Sequence, residues 1–306
     1  MPGPMEETIA GVGSVLLGKE HQIKLALTCL LSRGHLLIED LPGMGKTTMS
    51  HALARVLNLS YNRIQFTSDL LPADVLGVSI YDKDSGEFNF HPGPIFSQLV
   101  LADEINRTTP KSQSALLEAM EEKQVTIEGK TRPLPTPFFV IATQNPNTHA
   151  GTFPLPESQL DRFLMRIELG YPDAVAERIL LKGEDRRLVL ERLEPTMNTR
   201  QLQAFQDEAE QVKVSEALLD YIQRLVQHTR TAPEFAYGLS PRGALALLGC
   251  ARSWAFIENR HHVVPEDVQA VLPSVVEHRL REAADFSGHG GSALAQRLLT
   301  KVDVIG

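Results

Sequence analysis

The chain has 306 residues, of which 42% are apolar and 22% charged, and it carries a formal charge of −8. That length is enough for two compact domains, and the composition is that of a globular protein. Net acidity argues against a protein whose main task is to hold a nucleic-acid backbone, and no window of about 18 uninterrupted apolar residues is present to span a membrane. Residues 1–9 contain Glu6 and Glu7 and no apolar core, so they do not read as a signal peptide, and a cytoplasmic location is expected. The two cysteines, Cys29 and Cys250, lie far apart in apolar, helix-like stretches, which suits buried free thiols better than a disulfide or a metal pair.

In chain order, residues 15–19 read as a turn, 20–31 as a helix on the spacing of Ile23, Leu27, Leu30 and Leu31, and 35–39 as a short apolar strand. The strand runs into Asp40-Leu41-Pro42-Gly43-Met44-Gly45-Lys46-Thr47-Thr48, a glycine-rich turn opening a helix over 48–57. This is the pattern of a phosphate-binding loop. Gly43 and Gly45 can take backbone angles closed to other residues, so that consecutive N–H groups after Pro42, as far as Thr48, converge on an anion at a helix N-terminus. Lys46 adds a point charge for the β- and γ-phosphates, and the Thr47 hydroxyl is placed to hold Mg²⁺. Asp40 stands where such loops usually begin with glycine. A carboxylate there would repel phosphate, so it is expected to turn away and cap loop amides.

Further strands are expected over 62–66, 98–102, 138–142 and 165–169, with mostly helical connections, hence a parallel sheet between helices. Two hairpins interrupt this scheme, an insert over 76–92 turning at Asp82 to Gly86 and a second over 125–133 turning at Glu128-Gly129-Lys130. Beyond Tyr171-Pro172 the strand signal stops. A helix over 174–181 is followed by charged, poorly patterned sequence to 199 and then by helical spacing, including helices over 242–258 and 265–272. Residues 286–292, rich in glycine, read as a loop. The division is therefore a nucleotide-binding core at 1–172, a linker at 173–199 and a smaller all-α domain at 200–306.

Asp103-Glu104 closes the third strand at the sheet end where the loop lies. The first carboxylate can hold the metal and the second can polarise an attacking water. Asn145 ends the fourth strand, with an amide able to orient both water and γ-phosphate. Arg162, in Leu160-Asp161-Arg162-Phe163, could supply a cation to phosphoryl transfer or simply pair with Asp161 or Glu157. Arg242 follows Ser240-Pro241, a cap and first-turn proline, at the start of a helix.

Taken together, Pro42 to Thr47, Gly93-Pro94-Ile95-Phe96, Leu101 to Arg107, Leu116 to Met120, Ala142 to Pro146, Pro154 to Glu157, Leu160 to Phe163 and Ser240 to Arg242 resemble the AAA+ ATPases of the MoxR family. The resemblance covers about 15–280 and weakens over 182–211. It implies a three-layer αβα P-loop core with a five-stranded parallel sheet and a helical lid. It also implies a Walker A loop at 43–47, a Walker B pair at Asp103 and Glu104, sensor 1 at Asn145, an arginine finger at Arg162 and sensor 2 at Arg242. ATP and Mg²⁺ are the implied ligands. The implied assembly is a homo-oligomeric, hexameric ring that remodels partner proteins, some carrying a von Willebrand factor A domain. Two other readings stand beside it: a nucleotide-gated scaffold that hardly hydrolyses ATP, and a chelatase-type or DNA motor on the same core.

Overall fold

The computed structural model describes residues 3–84, 86–146, 151–183, 186–283 and 294–305. Its organising element is a five-stranded parallel sheet made of β1 (Leu36–Glu39), β2 (Tyr61–Gln65), β5 (Leu99–Asp103), β8 (Phe139–Gln144) and β9 (Met165–Ile167), in the order β2-β5-β8-β1-β9. Every residue of β5 is buried, as are Phe139 to Thr143 of β8 and Leu36 to Ile38 of β1. Strands covered on both faces must be apolar throughout, and these runs were legible for that reason. On β2, at the sheet edge, Ile64 alone is buried and polar residues alternate with it. The β2 and β5 ladder pairs Tyr61 with Leu99 through Gln65 with Asp103, and β5 pairs Leu99 with Phe139 through Ala102 with Ala142. The register brings Gln65, Asp103 and Thr143 to one end of the sheet.

By internal contacts the chain forms two compact units, one made of 1–20, 37–162 and 168–199, the other of 21–36, 163–167 and 200–306. In the first unit, α1 (Pro4–Val15) lies against α3 (Lys46–Val56). Pro4 occupies its first turn, the Gly3 N–H donates to Glu6 Oε2 at 3.1 Å, and Met5, Thr8, Val12 and Val15 form the buried stripe. Gly11 allows the approach, since a Cβ there would stand 3.2 Å from Val56 Cγ1. The sparse apolar pattern and two internal glycines hid this helix from the sequence reading. Beyond α4 (Pro72–Leu76), β3 (Gly77–Asp82) pairs with β4 (Glu87–Pro92), and after α5 (Pro110–Glu122), β6 (Gln124–Ile127) pairs with β7 (Lys130–Pro133), so both expected hairpins form. After the short α6 (Glu157–Leu160), the stretch 173–199 holds α7 (Ala174–Leu181) and α8 (Arg186–Glu191). The Asp173 carboxylate caps α7 by accepting from the Ala176 N–H at 2.7 Å. Helix α8 is stabilised from outside its own sequence: Arg55 Nη2 donates to the Glu191 carbonyl at 2.7 Å.

The second unit contains α2 (Glu20–Leu31), α9 (Thr199–Glu210), α10 (Glu216–Thr231), α11 (Pro241–Ile257), α12 (Pro265–Val276) and α13 (Leu294–Lys301). Its core includes Leu202, Leu225, Leu247, Trp254, Val268, Leu272 and Val275. Helix α12 runs past Pro273, because burying Val275 and Val276 outweighs the bond that the proline removes. A short antiparallel ladder, β10 (Phe235–Tyr237) with β11 (Arg281–Glu282), adds to the helices a feature that the sequence reading did not anticipate. Cys29 and Cys250 are free and buried, and burial raises both thiol pKa values, that of Cys250 to about 12. The glycine-rich stretch 286–292 lies outside the described residues.

Candidate functional site

Gly43 and Gly45 both take left-handed backbone angles, φ 84 and 93, which cost a side-chain-bearing residue about 1–2 kcal/mol. A Cβ on Gly45 would also come within 2.8 Å of Leu16 Cδ1. The turn delivers the chain into α3, whose first bond runs from the Met49 N–H to the Gly45 carbonyl at 2.9 Å. The amides of Lys46, Thr47 and Thr48 therefore precede the helical ladder, where a helix N-terminus attracts an anion.

Asp40 has turned onto backbone amides. Its Oδ1 accepts from the Leu41 N–H at 2.7 Å, and its Oδ2 accepts from the Leu169 and Gly170 N–H groups, each at 2.7 Å. Three N–H donors disperse the charge of a buried carboxylate, so the side chain that replaces the usual glycine fastens the loop to residues 169–170. Lys46 is buried and reaches back along the loop, donating to the Asp40 carbonyl and, at 3.0 Å, to Asn145 Oδ1. Burial lowers its pKa, while the carboxylates of Asp40, Asp103, Glu104 and Glu39 act in the opposite direction.

At the end of β5, Thr143 ties the acidic pair together. Its hydroxyl donates to Asp103 Oδ1 and accepts from the Glu104 N–H at 2.9 Å. Glu104 itself is left-handed, with φ 57, which swings its carboxylate out of the strand direction. Its Oε1 accepts from Asn145 Nδ2 at 3.3 Å, so one amide bridges Lys46 and Glu104. Gln65 Nε2 donates to Glu104 Oε2 at 2.9 Å, and Arg107 Nε lies 3.3 Å from the same oxygen. Arg63 binds Asp103 Oδ2 through Nε at 3.1 Å and Nη2 at 2.7 Å.

Lys46, Asp103, Glu104 and Asn145 are thus wired into one cluster with Asp40, on the loop and strand ends where the sequence placed them. Thr47 and Thr48 follow Lys46 in the first turn of α3, Met44 is half-buried, and Pro42 is exposed. Arg162 is bonded elsewhere, its Nη2 standing 3.2 Å from Glu121 Oε2 on α5. Arg242 belongs to the second unit, in the first turn of α11, behind Ser240, whose hydroxyl caps the helix by accepting from the Gly243 N–H at 3.1 Å. Sequence reasoning passed over Arg63, Gln65 and Thr143. The available signal was an i, i+2 polar pair on a β-strand beside an acidic strand end, and such a pair reads by default as the solvated face of an edge strand.

The donor set suits Mg²⁺: a hydroxyl and a carboxylate are hard oxygen ligands. Among the described residues, groups of three or more His, Cys, Asp or Glu side chains able to hold a metal are absent.

A parallel sheet whose strand ends present an anion-receiving helix terminus, a buried lysine and an acidic pair, followed by a helical unit, has the architecture of a P-loop ATPase with a lid. Known proteins agree. The ATPase family associated with various cellular activities (AAA) matches residues 35–165, and the AAA lid domain matches 227–298. Uncharacterized protein YeaC of Bacillus subtilis is 44% identical over 97% of this chain and 94% of its own. Chaperone MoxR1 of Mycobacterium tuberculosis is 41% identical, with 90% of this chain and 75% of its own covered. A crystal structure from Cytophaga hutchinsonii, described as that of a candidate ATPase, superimposes with a TM-score of 0.87 at 39% identity, covering 98% of this chain and 94% of its own. The chain belongs to the MoxR family of AAA+ ATPases. Among the described residues no helix is long and apolar enough to cross a membrane.

Proposed function

We propose that this protein hydrolyses ATP to ADP and phosphate and uses the cycle to remodel or activate partner proteins. The observation that carries the reading is the Asn145 amide, which contacts Lys46 and Glu104 at once and so joins the phosphate-binding side of the site to the water-activating side. Residues 42–48 cradle the triphosphate, those from Gly43 onward through backbone N–H groups, and Lys46 leaves the Asp40 carbonyl to neutralise the β- and γ-phosphates. Thr47 and Asp103 would hold Mg²⁺, which when bound offsets phosphate charge. Glu104 accepts a proton from water as the water oxygen bonds to the γ-phosphorus, and the bridging oxygen leaves with ADP. Asn145 orients that water, its amide already being within reach of Glu104. Arg162 acts as a finger toward the nucleotide of a neighbouring copy in a homo-oligomeric, hexameric ring, exchanging Glu121 for developing phosphate charge. Arg242 acts as sensor 2.

The chaperone role is supported by the name of the Mycobacterium tuberculosis relative. A partner with a von Willebrand factor A domain is the family's implied client, and the exposed hairpins are its proposed contact. Phosphate release by wild type against Glu104→Gln tests the enzymatic reading: loss of release with retained ATP binding supports it, and a wild type that binds ATP without turnover would make the protein a nucleotide-gated scaffold.

A further inference from the structure

Both acidic side chains at the end of β5 are held from the sheet edge by one pair of residues. Arg63 directs Nε and Nη2 at a single oxygen of Asp103, and the same Nη2 donates to Gln65 Oε1 at 2.8 Å. Gln65 in turn donates to Glu104 Oε2 at 2.9 Å. The four side chains make a continuous relay, Asp103 to Arg63 to Gln65 to Glu104. It exists because β2 and β5 are parallel and in register, with Gln65 opposite Asp103 and Arg63 on the same face of β2 two residues earlier. The Asp103 side chain is 9% exposed and that of Arg63 48%, so the guanidinium runs from a buried carboxylate out to solvent.

The other Asp103 oxygen is taken by the Thr143 hydroxyl, so both oxygens are engaged. A fixed positive charge at hydrogen-bond distance makes a carboxylate a poorer host for a second cation, more so where little water screens the pair. We propose that Arg63 is a positioning residue that competes with the divalent cation for Asp103. Linkage makes the effect reciprocal: whatever weakening Arg63 imposes on the cation, the cation imposes on the hold of Arg63. The inference rests on the proposed function, because it takes Asp103 as the cation-holding carboxylate.

The test uses the full chain in molar excess over the β,γ-imido analogue of ATP, with Mn²⁺ added, reading free Mn²⁺ by its paramagnetic resonance signal against the same nucleotide without protein, so that no turnover is needed and the nucleotide's own hold on Mn²⁺ is subtracted. Arg63→Gln should bind Mn²⁺ about tenfold more tightly than wild type, a gain that general damage to the site would not produce. Arg63→Lys keeps the charge and should stay within about threefold of wild type. Asp103→Asn should lose about tenfold or more. If Asp103→Asn weakens Mn²⁺ binding while Arg63→Gln leaves it unchanged or weaker, this inference alone is overturned. If wild type binds no Mn²⁺, or Asp103→Asn matches wild type, the reading of the site falls with it. Should Arg63→Gln not fold, Arg63→Ala decides: a gain of about tenfold supports the competition of charges, and an unchanged or lower affinity overturns it.

Discussion

At the ends of β1, β5 and β8 the charged side chains are bonded to one another or to backbone amides, whereas the β3 and β4 hairpin leaves Val78, Ile80, Tyr81 and Phe88 between 46% and 67% exposed. The hairpin is anchored at one end, where the Phe90 ring meets Phe96 at 5.8 Å and Arg132 of β7 stacks 3.9 Å above the Phe90 ring. Toward the turn, Tyr81 and Phe88 touch at 5.3 Å with solvent around them. One region has committed its interactions within the chain, so that a ligand there displaces some of them. The other holds apolar surface in reserve, gaining stability only when something else covers it.

That contrast is open to attack from both sides. The largest effect belongs to the strand ends: Glu104→Gln should cut phosphate release by about 100-fold or more while ATP still binds, and Lys46→Ala should lose binding as well. Next comes Asp40→Ala, which leaves three amides, that of Leu169 fully buried, without their acceptor and should lower the unfolding free energy in urea by about 2 kcal/mol. Asp40→Gly tightening ATP more than tenfold would mean that the carboxylate opposes phosphate after all. Arg162→Ala should reduce turnover per subunit by about tenfold or more at concentrations where copies associate, and much less where they do not.

A smaller, pH-dependent effect is expected in the second unit. Burial, with Arg279 alongside, depresses the pKa of His278 well below 6.5. Since the unfolded chain takes up the proton first, its contribution is intact above about pH 6.5 and is lost below it, by up to about 1.4 kcal/mol per pH unit. His278→Gln should flatten the fall in unfolding free energy between pH 7 and pH 5. Smallest of all, Tyr81→Ser with Phe88→Ser should move stability by less than about 0.5 kcal/mol and basal turnover by less than about twofold, while partner coupling is lost. A large loss of stability would show that the hairpin is part of the core's packing and erase the contrast.

The sheet was legible because β1, β5 and β8 are buried on both faces and therefore apolar without interruption, and the loop because Gly43, Gly45, Lys46 and Thr47 have few other uses at that spacing. What escaped notice depends on tertiary partners. Helix α1 is made by its packing on α3, and α8 is fastened by Arg55, 131 positions before its first residue at Arg186. Continuation of α12 through Pro273 is decided by burial, which local propensity cannot report. Arg63 and Gln65 were hidden for a related reason, since a solvated strand face and a relay to two carboxylates have the same sequence signature. Asp40 was the reverse case. Its oddity was visible at once, but the two amides at Leu169 and Gly170 that explain it lie far along the chain.

That fastening has a mechanical consequence. With an ordinary glycine at position 40, the phosphate loop could breathe independently of the segment that leaves β9. Here a carboxylate clasps Leu169 and Gly170, and next to them the Tyr171 carbonyl accepts from Lys19 just behind α1. A tug on residues 169–171 would be felt at the root of the loop without crossing the sheet, so strain applied there could be converted directly into looser or firmer grip on phosphate.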